Sequence, residues 1–102
     1  MIARIWRGLT RDSQAEEYFE YLKATGIKEY RETEGNRGVF VLRNITAGQA
    51  EFLLITLWES WDAIHRFAGD EVNKAVYYPE DQKFLLALEP EVAHYEVLLP
   101  GE

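Results

Sequence analysis

The chain of 102 residues contains no cysteine, three prolines and one methionine. The lack of cysteine excludes disulfides, thiolate nucleophiles and cysteine-ligated metal or iron–sulfur sites. It also favours a reducing compartment, so we expect a cytoplasmic protein. The opening MIARIWRGLT holds two arginines and no long apolar run. It therefore predicts neither a secretory signal nor a transmembrane span.

Positive charge is also scarce, since 11 Lys and Arg face 18 Asp and Glu, for a net charge of −7. Nucleic acids and anionic membranes are bound by surfaces with excess positive charge, so we expect neither partner. The chain has no nucleotide-binding glycine pattern, no H-E-x-x-H and no G-x-S-x-G. Its two histidines stand in no metal-ligand spacing, so no metal site is expected.

Aromatic residues are abundant at 14%, with three Trp, six Tyr and five Phe. Hydrophobic residues make up 47% and charged residues 28%, which is typical of a soluble globular protein. The length suits a single domain over residues 1–102. Many aromatic rings in so short a chain indicate a ring-filled core, a ring-lined pocket, or both.

The segment EFLLITLWESWDAIHRFA, residues 51–68, changes from a strand into a helix. In its strand part both alternating sets of residues are mainly apolar, so the strand must be covered on both faces. The helices of this chain suffice for one face of a sheet only. A second copy packed on the other face would bury it, which predicts a homodimer formed through the sheet.

The remaining elements follow from capping residues, turns and apolar periodicity. Ser13 and Glu16 form a capping-box pattern, and Gly26 stands where a closing glycine would end that helix. Ser60 is the expected cap of a second helix. The predicted elements are a strand over 2–8, a helix over 13–25, strands over 27–33, 39–44 and 51–58, a helix from 60, a helical piece over 71–77 and a strand over 92–99. This order predicts an α+β, ferredoxin-like split βαβ fold with an antiparallel sheet and an extra hairpin after the first helix.

The segments TLWESWDAIHRFAG, DEVNKAVYYPED and EVAHYEVL together resemble the antibiotic biosynthesis monooxygenase family of dimeric α+β barrels. The resemblance implies a monooxygenase that acts on an aromatic polyphenol or quinol without a cofactor. The same fold group includes haem-degrading enzymes, some with an Asn on the first strand, a Trp on the second helix and an axial His beyond it. Here the first strand has no Asn, and Phe67 and Val76 stand at the other two positions, so haem binding or degradation is less expected.

Two polar residues within apolar strands are the candidate catalytic groups. His94 has the strand parity opposite to that of Tyr95 and could take a phenolic proton. Arg4 could stabilise the resulting negative charge. If the first strand lies between the third and the last, then Arg4, Thr56 and His94 are close to one another. The alternatives are a structural role for His94 and an ion pair between Arg4 and Glu96.

A set of mainly aromatic residues could bind the substrate: Trp6, Thr56, Trp58, Phe67, Tyr77 and Tyr78. The alternative is that these side chains simply fill the core. His65 is expected to face solvent, since it lies beside the apolar stripe of its helix. The second functional hypothesis is a non-enzymatic homodimeric module that binds a small hydrophobic ligand. A pocket without any titratable group would favour that second hypothesis.

Overall fold

A computed structural model describes residues 1–101 of the chain. The strands are β1 (Ile2–Arg11), β2 (Asn36–Thr46), β3 (Gln49–Trp58) and β4 (Ala93–Glu96). The helices are α1 (Ala15–Ala24), α2 (Gly26–Glu32), α3 (Trp61–Ala68) and the single turn α4 (Asp81–Phe84), with a 3₁₀ turn over Asp12–Gln14. No helix in this part of the chain is long and apolar enough to cross a membrane.

The four strands form one antiparallel sheet in the order β2-β3-β1-β4. This order confirms the predicted ferredoxin-like α+β fold, with β1 between β3 and β4. The register places Arg4 opposite Thr56 on one side and opposite His94 on the other. Directly opposed residues project from the same face of a sheet, so all three share one face.

The two faces of the sheet differ in their cover. The helix-covered face buries every second residue of β1 and β3, including Arg4, Phe52 and Trp58. The other face, here called the open face, carries half-buried and exposed apolar side chains: Ile5, Leu9, Leu53, Ile55, Leu57, Phe40, Leu42 and Tyr95. Phe40 is 55% exposed and Tyr95 is 59% exposed. Both faces of β1 and β3 are therefore apolar, as the alternation in the sequence predicts.

The predicted strand over 27–33 is wrong, because this segment is the helix α2. Ile27 and Tyr30 are both buried, and their spacing of three residues is that of a helix. Gly26 does not close α1 with a left-handed turn but begins α2. The break between the helices is at Thr25, whose φ of −116° and ψ of −94° are not helical. No extra hairpin is therefore present among the described residues.

The two predicted helix caps have different outcomes. The capping box at Ser13 is wrong: Ser13 lies in the 3₁₀ turn, and α1 begins after Gln14 without a side-chain cap. Ser60 caps α3 as predicted, since its Oγ accepts a hydrogen bond from the Ala63 N–H at 3.2 Å. This cap fixes the start of α3 directly after β3.

The last third of the chain is less regular than predicted. The predicted helical piece over 71–77 is wrong, because that segment is irregular and contains an isolated bridge between Lys74 and Glu91. The predicted strand over 92–99 is shorter, since β4 ends at Glu96. Glu96 pairs with Ile2, the first residue of β1, so the residues after it have almost no strand left to pair with.

Candidate functional site

Arg4 is a buried cation without a carboxylate partner among residues 1–101. The residue is 3% exposed, and its Nη2 donates a hydrogen bond to the Lys74 carbonyl oxygen at 2.9 Å. Its Cζ lies 5.5 Å from the centroid of the Phe67 ring, while its Nε has no hydrogen-bond partner in the described chain. Burial lowers the pKa of Arg4 from its ordinary value. The predicted alternative, an ion pair with Glu96, is not formed.

His94 lies beside Arg4 on the same face. Its ring is 5.0 Å, centroid to centroid, from the Trp61 ring. Both ring nitrogens are buried, and neither has a hydrogen-bond partner within residues 1–101. Burial, together with the nearby Arg4 charge, lowers the pKa of His94 below its ordinary value of 6.5. At neutral pH the imidazole is therefore uncharged and able to accept a proton.

Thr56 lies close to Arg4, as predicted, but its hydroxyl already has partners. Its Oγ1 donates to the Arg4 carbonyl oxygen at 3.3 Å and accepts from Trp58 Nε1 at 2.8 Å. These bonds satisfy the buried indole N–H of Trp58 and tie β3 to β1. Thr56 therefore holds the backbone of Arg4 in place in this conformation.

The predicted aromatic set packs tightly between helices and sheet. Trp58 stacks on Phe67 with 5.8 Å between centroids, and Phe67 lies 4.7 Å from Tyr30. Trp6 and Tyr77 meet edge to face at 6.2 Å. Trp6 Nε1 has no partner with hydrogen-bond geometry, although it faces the Tyr77 hydroxyl. In this conformation these rings fill the core.

The space between helices and sheet beside Trp6, Tyr30, Tyr78 and Asp81 is about 10 Å³. That volume admits about one water molecule. A much larger cleft of about 400 Å³ opens at the end of the sheet where β1 begins and β4 ends. We call it the edge cleft; its lining includes Met1, Ile2, Trp61, His94, Glu96 and Leu98. His94 is the one predicted catalytic residue that reaches it.

Sequence reasoning missed a buried polar cluster on the far side of Trp6. Asp81 is buried, and its carboxylate accepts hydrogen bonds from the Tyr18 hydroxyl at 2.8 Å and the Tyr78 N–H at 2.6 Å. The Tyr78 hydroxyl donates to Glu29 at 2.7 Å. Burial raises the pKa of Asp81, and it raises the pKa of Tyr30 to about 12. No periodicity marks Asp81, because it belongs to a single helical turn in an irregular region.

Neither a cluster of three metal ligands nor space for haem beside Val76 is present in the described residues. No group of three His, Cys, Asp or Glu side chains within residues 1–101 could hold a metal. Val76 has no ligating atom, and the space of about 10 Å³ beside it is far too small for a porphyrin. The residues present therefore do not fit haem bound between helices and sheet.

No family model and no curated protein matches the chain. Solved structures do match over its whole length. A candidate antibiotic biosynthesis monooxygenase from Bacillus cereus has a TM-score of 0.70 and 18% identity, covering 100% of this chain and 95% of that one. A second, from Bordetella bronchiseptica, has a TM-score of 0.59 and 24% identity, covering 96% and 97%.

The haem degrader MhuD from Mycobacterium tuberculosis, solved with two haems in its active site, has a TM-score of 0.61 and 18% identity, with 100% of both chains covered. Likenesses at this level of identity establish architecture, whereas activity depends on the site. The resemblance that the sequence indicated is thus confirmed at the level of the fold: the chain has the α+β, ferredoxin-like fold of the antibiotic biosynthesis monooxygenases.

Proposed function

We propose that the protein is a cofactor-independent monooxygenase of aromatic polyphenols or quinols. The observation that carries this proposal is the pair formed by a buried guanidinium without a carboxylate, Arg4, and a neutral imidazole without a hydrogen-bond partner, His94. Buried polar groups in proteins are nearly always satisfied, and exceptions cluster at functional sites. The likeness of fold to candidate monooxygenases supports the same reading.

The proposed reaction needs only substrate, O₂ and these two side chains. His94 accepts the phenolic proton, and the nearby positive charge of Arg4 stabilises the phenolate. A ring carbon of the phenolate gives an electron pair to O₂, and the proton on His94 completes a hydroperoxide. Loss of water, with the hydrogen of that ring carbon, leaves a quinone carbonyl. One oxygen atom stays in the product and the other leaves as water.

The working unit in this proposal is a homodimer packed through the open face. Three of its large apolar side chains, Phe40, Leu42 and Tyr95, are close to half exposed or more in the single chain. Contiguous apolar patches of this kind mark interaction sites, and a two-fold axis would let one face cover the other. We further expect this dimer in the cytoplasm, which rests on the composition alone.

The second candidate function is a homodimeric module that binds a small hydrophobic ligand without turning it over. The tight packing of Trp58, Phe67 and Tyr77 favours it, since the space beside Trp6 and Tyr30 has room for about one water molecule. The two candidates differ in their need for a proton acceptor. A binding module would keep its ligand when His94 is replaced, and it would consume no O₂.

Oxygen uptake with a panel of quinols and polyphenols tests the proposal. We expect uptake by the wild type, and a loss of about 10² to 10⁴ in kcat for His94→Gln, which removes the proton acceptor. His65→Gln is the matched control, because His65 is exposed on α3 and contacts the Gly69 carbonyl oxygen at 2.9 Å. A rate for His94→Gln equal to that of the His65→Gln variant would overturn the assignment.

A further inference from the structure

The space between helices and sheet beside Trp6 cannot receive an aromatic ring in the observed packing. Its volume is about 10 Å³, while the edge cleft holds about 400 Å³, within the range of small-molecule sites. His94 borders the edge cleft from the helix-covered face. A substrate that meets His94 without rearranging the core therefore has to come from the edge cleft.

Trp61 is the most unusual side chain of this cleft. It is 49% exposed, whereas Trp6 and Trp58 are 6% and 0% exposed. As the first residue of α3, directly after the Ser60 cap, its backbone is fixed. Its ring lies 5.0 Å from the His94 ring at an interplanar angle of 58°. A large, half-exposed ring on a rigid element is suited to stacking on another aromatic ring.

The surroundings of Trp61 fit an aromatic alcohol. Met1, Ile2 and Leu98 add apolar surface to the cleft, and the ring nitrogens of His94 lack hydrogen-bond partners in the described chain. Trp61 lies on α3, on the helix-covered side of the sheet. Tyr95 lines the same cleft from the open face, so a dimer formed through that face would border the cleft at Tyr95, on the side of the sheet opposite to the indole.

We propose that the edge cleft binds the planar ring of a hydroxylated aromatic substrate, with Trp61 stacking on the ring and the His94 imidazole, whose nitrogens are buried in the unliganded chain, turning toward the cleft to hold its hydroxyl. This inference rests on the proposed function for the identity of His94 as the proton acceptor. It makes Trp61 a specificity-determining residue, because a flat π-surface favours flat aromatic ligands over saturated rings of equal size.

The test is a titration of the full-length protein, without O₂, with 2-naphthol and with decahydro-2-naphthol as the saturated partner. Indole N–H resonances locate the binding, with the Trp61 signal assigned as the one that Trp61→Phe removes, and isothermal titration calorimetry measures the affinity of the wild type and of each variant. We expect 2-naphthol to shift the Trp61 signal saturably and decahydro-2-naphthol to bind about tenfold more weakly. Trp61→Ala is expected to lose about tenfold in affinity and Trp61→Phe to keep most of it.

Phe19→Ala is the matched control, since Phe19 is a partly buried ring beside a different cleft of about 330 Å³. We expect this variant to bind 2-naphthol like the wild type. Equal affinity for the aromatic and the saturated alcohol, or an undiminished affinity of Trp61→Ala, would overturn the inference. Binding at Trp61 without O₂ uptake by any quinol would leave it standing and overturn the oxygenase proposal instead.

Discussion

Arg4 is a buried charge that is costly to the fold. A guanidinium taken out of water needs compensation, and here it has one carbonyl oxygen, from Lys74, and the face of Phe67. Removing such a charge in favour of an apolar side chain of similar length is often neutral or stabilising. The proposed function gives this charge a role, since it would stabilise a bound phenolate.

We therefore expect Arg4→Met either to leave the free energy of unfolding unchanged or to raise it by about 1 kcal/mol or more. The same substitution should lower quinol turnover. Urea unfolding and oxygen uptake measure the two effects on the same sample. A loss of stability above about 2 kcal/mol together with unchanged turnover would show that the residue is structural.

His94 should make both stability and activity depend on pH. Its pKa in the folded chain is lowered, first by burial and then by the Arg4 charge. As pH falls through the ordinary histidine value of 6.5, the unfolded chain takes up a proton that the folded chain does not. Stability should fall in that window, level off below the folded pKa, and lose this dependence in His94→Gln.

Turnover should follow the folded pKa of His94, rising with pH on an acidic limb that lies below 6.5. Removing the Arg4 charge should move that limb toward higher pH, because one of the two causes of the lowered pKa is gone. Rate profiles for the wild type and Arg4→Met measure the shift. Superimposable profiles would contradict the coupling between the two residues.

At the scale of residues, the sequence predicts which side chains of the candidate site lie close together. Strand parity and strand order predict that Arg4, Thr56 and His94 lie close together. The observed register places Thr56 and His94 opposite Arg4 on its two neighbouring strands. The partner of the Arg4 guanidinium was not predictable, because a backbone carbonyl in an irregular segment leaves no trace in residue identities. The role of the Thr56 hydroxyl was hidden for the same reason, since it depends on the rotamer of Trp58.

At the scale of elements, regular periodicity was predictable and short or irregular pieces were not. The strands β1 and β3 and the helix α3 are long and strongly patterned, and they lie where the sequence predicts. The segment that forms α2 has too few apolar residues to show a helical period, so its sequence predicts a strand. Burial against the rest of the core stabilises a helix there instead. The single turn α4 has no pattern of its own.

The turn α4 is held to α1 by one buried hydrogen bond, from the Tyr18 hydroxyl to Asp81 at 2.8 Å. Tyr18→Phe leaves the buried carboxylate with fewer donors, so we expect a loss of about 2 kcal/mol in the free energy of unfolding. Tyr21→Phe is the matched control on the same helix, since its hydroxyl accepts only from the exposed Glu80 N–H. A loss no larger than that of the control would contradict this role.

At the scale of the whole molecule, the open face is the feature that a single chain leaves unexplained. Alternation in the sequence predicts a sheet that is apolar on both faces, and the observed burial agrees. The open face would be covered by a second molecule, which the sequence of one chain does not identify. The homodimer therefore stays a prediction.

Phe40→Asp should convert the proposed dimer to a monomer, because it places a charge in the centre of an apolar interface. Ile45→Asp is the matched control: Ile45 is 51% exposed on the same strand, but it pairs with Ala50 on the helix-covered side. Light scattering after size-exclusion chromatography gives the two masses. A wild type that is already monomeric at working concentration would contradict the dimer.

In the proposed reaction, Arg4 and His94 let a phenolic substrate react with O₂ directly. The most direct test is turnover of a quinol under ¹⁸O₂, with wild type and His94→Gln compared by mass spectrometry of the product. We expect one labelled oxygen atom per wild-type product and a rate lower by about 10² or more in the variant. Label that comes from water, or equal rates in the two proteins, would contradict it.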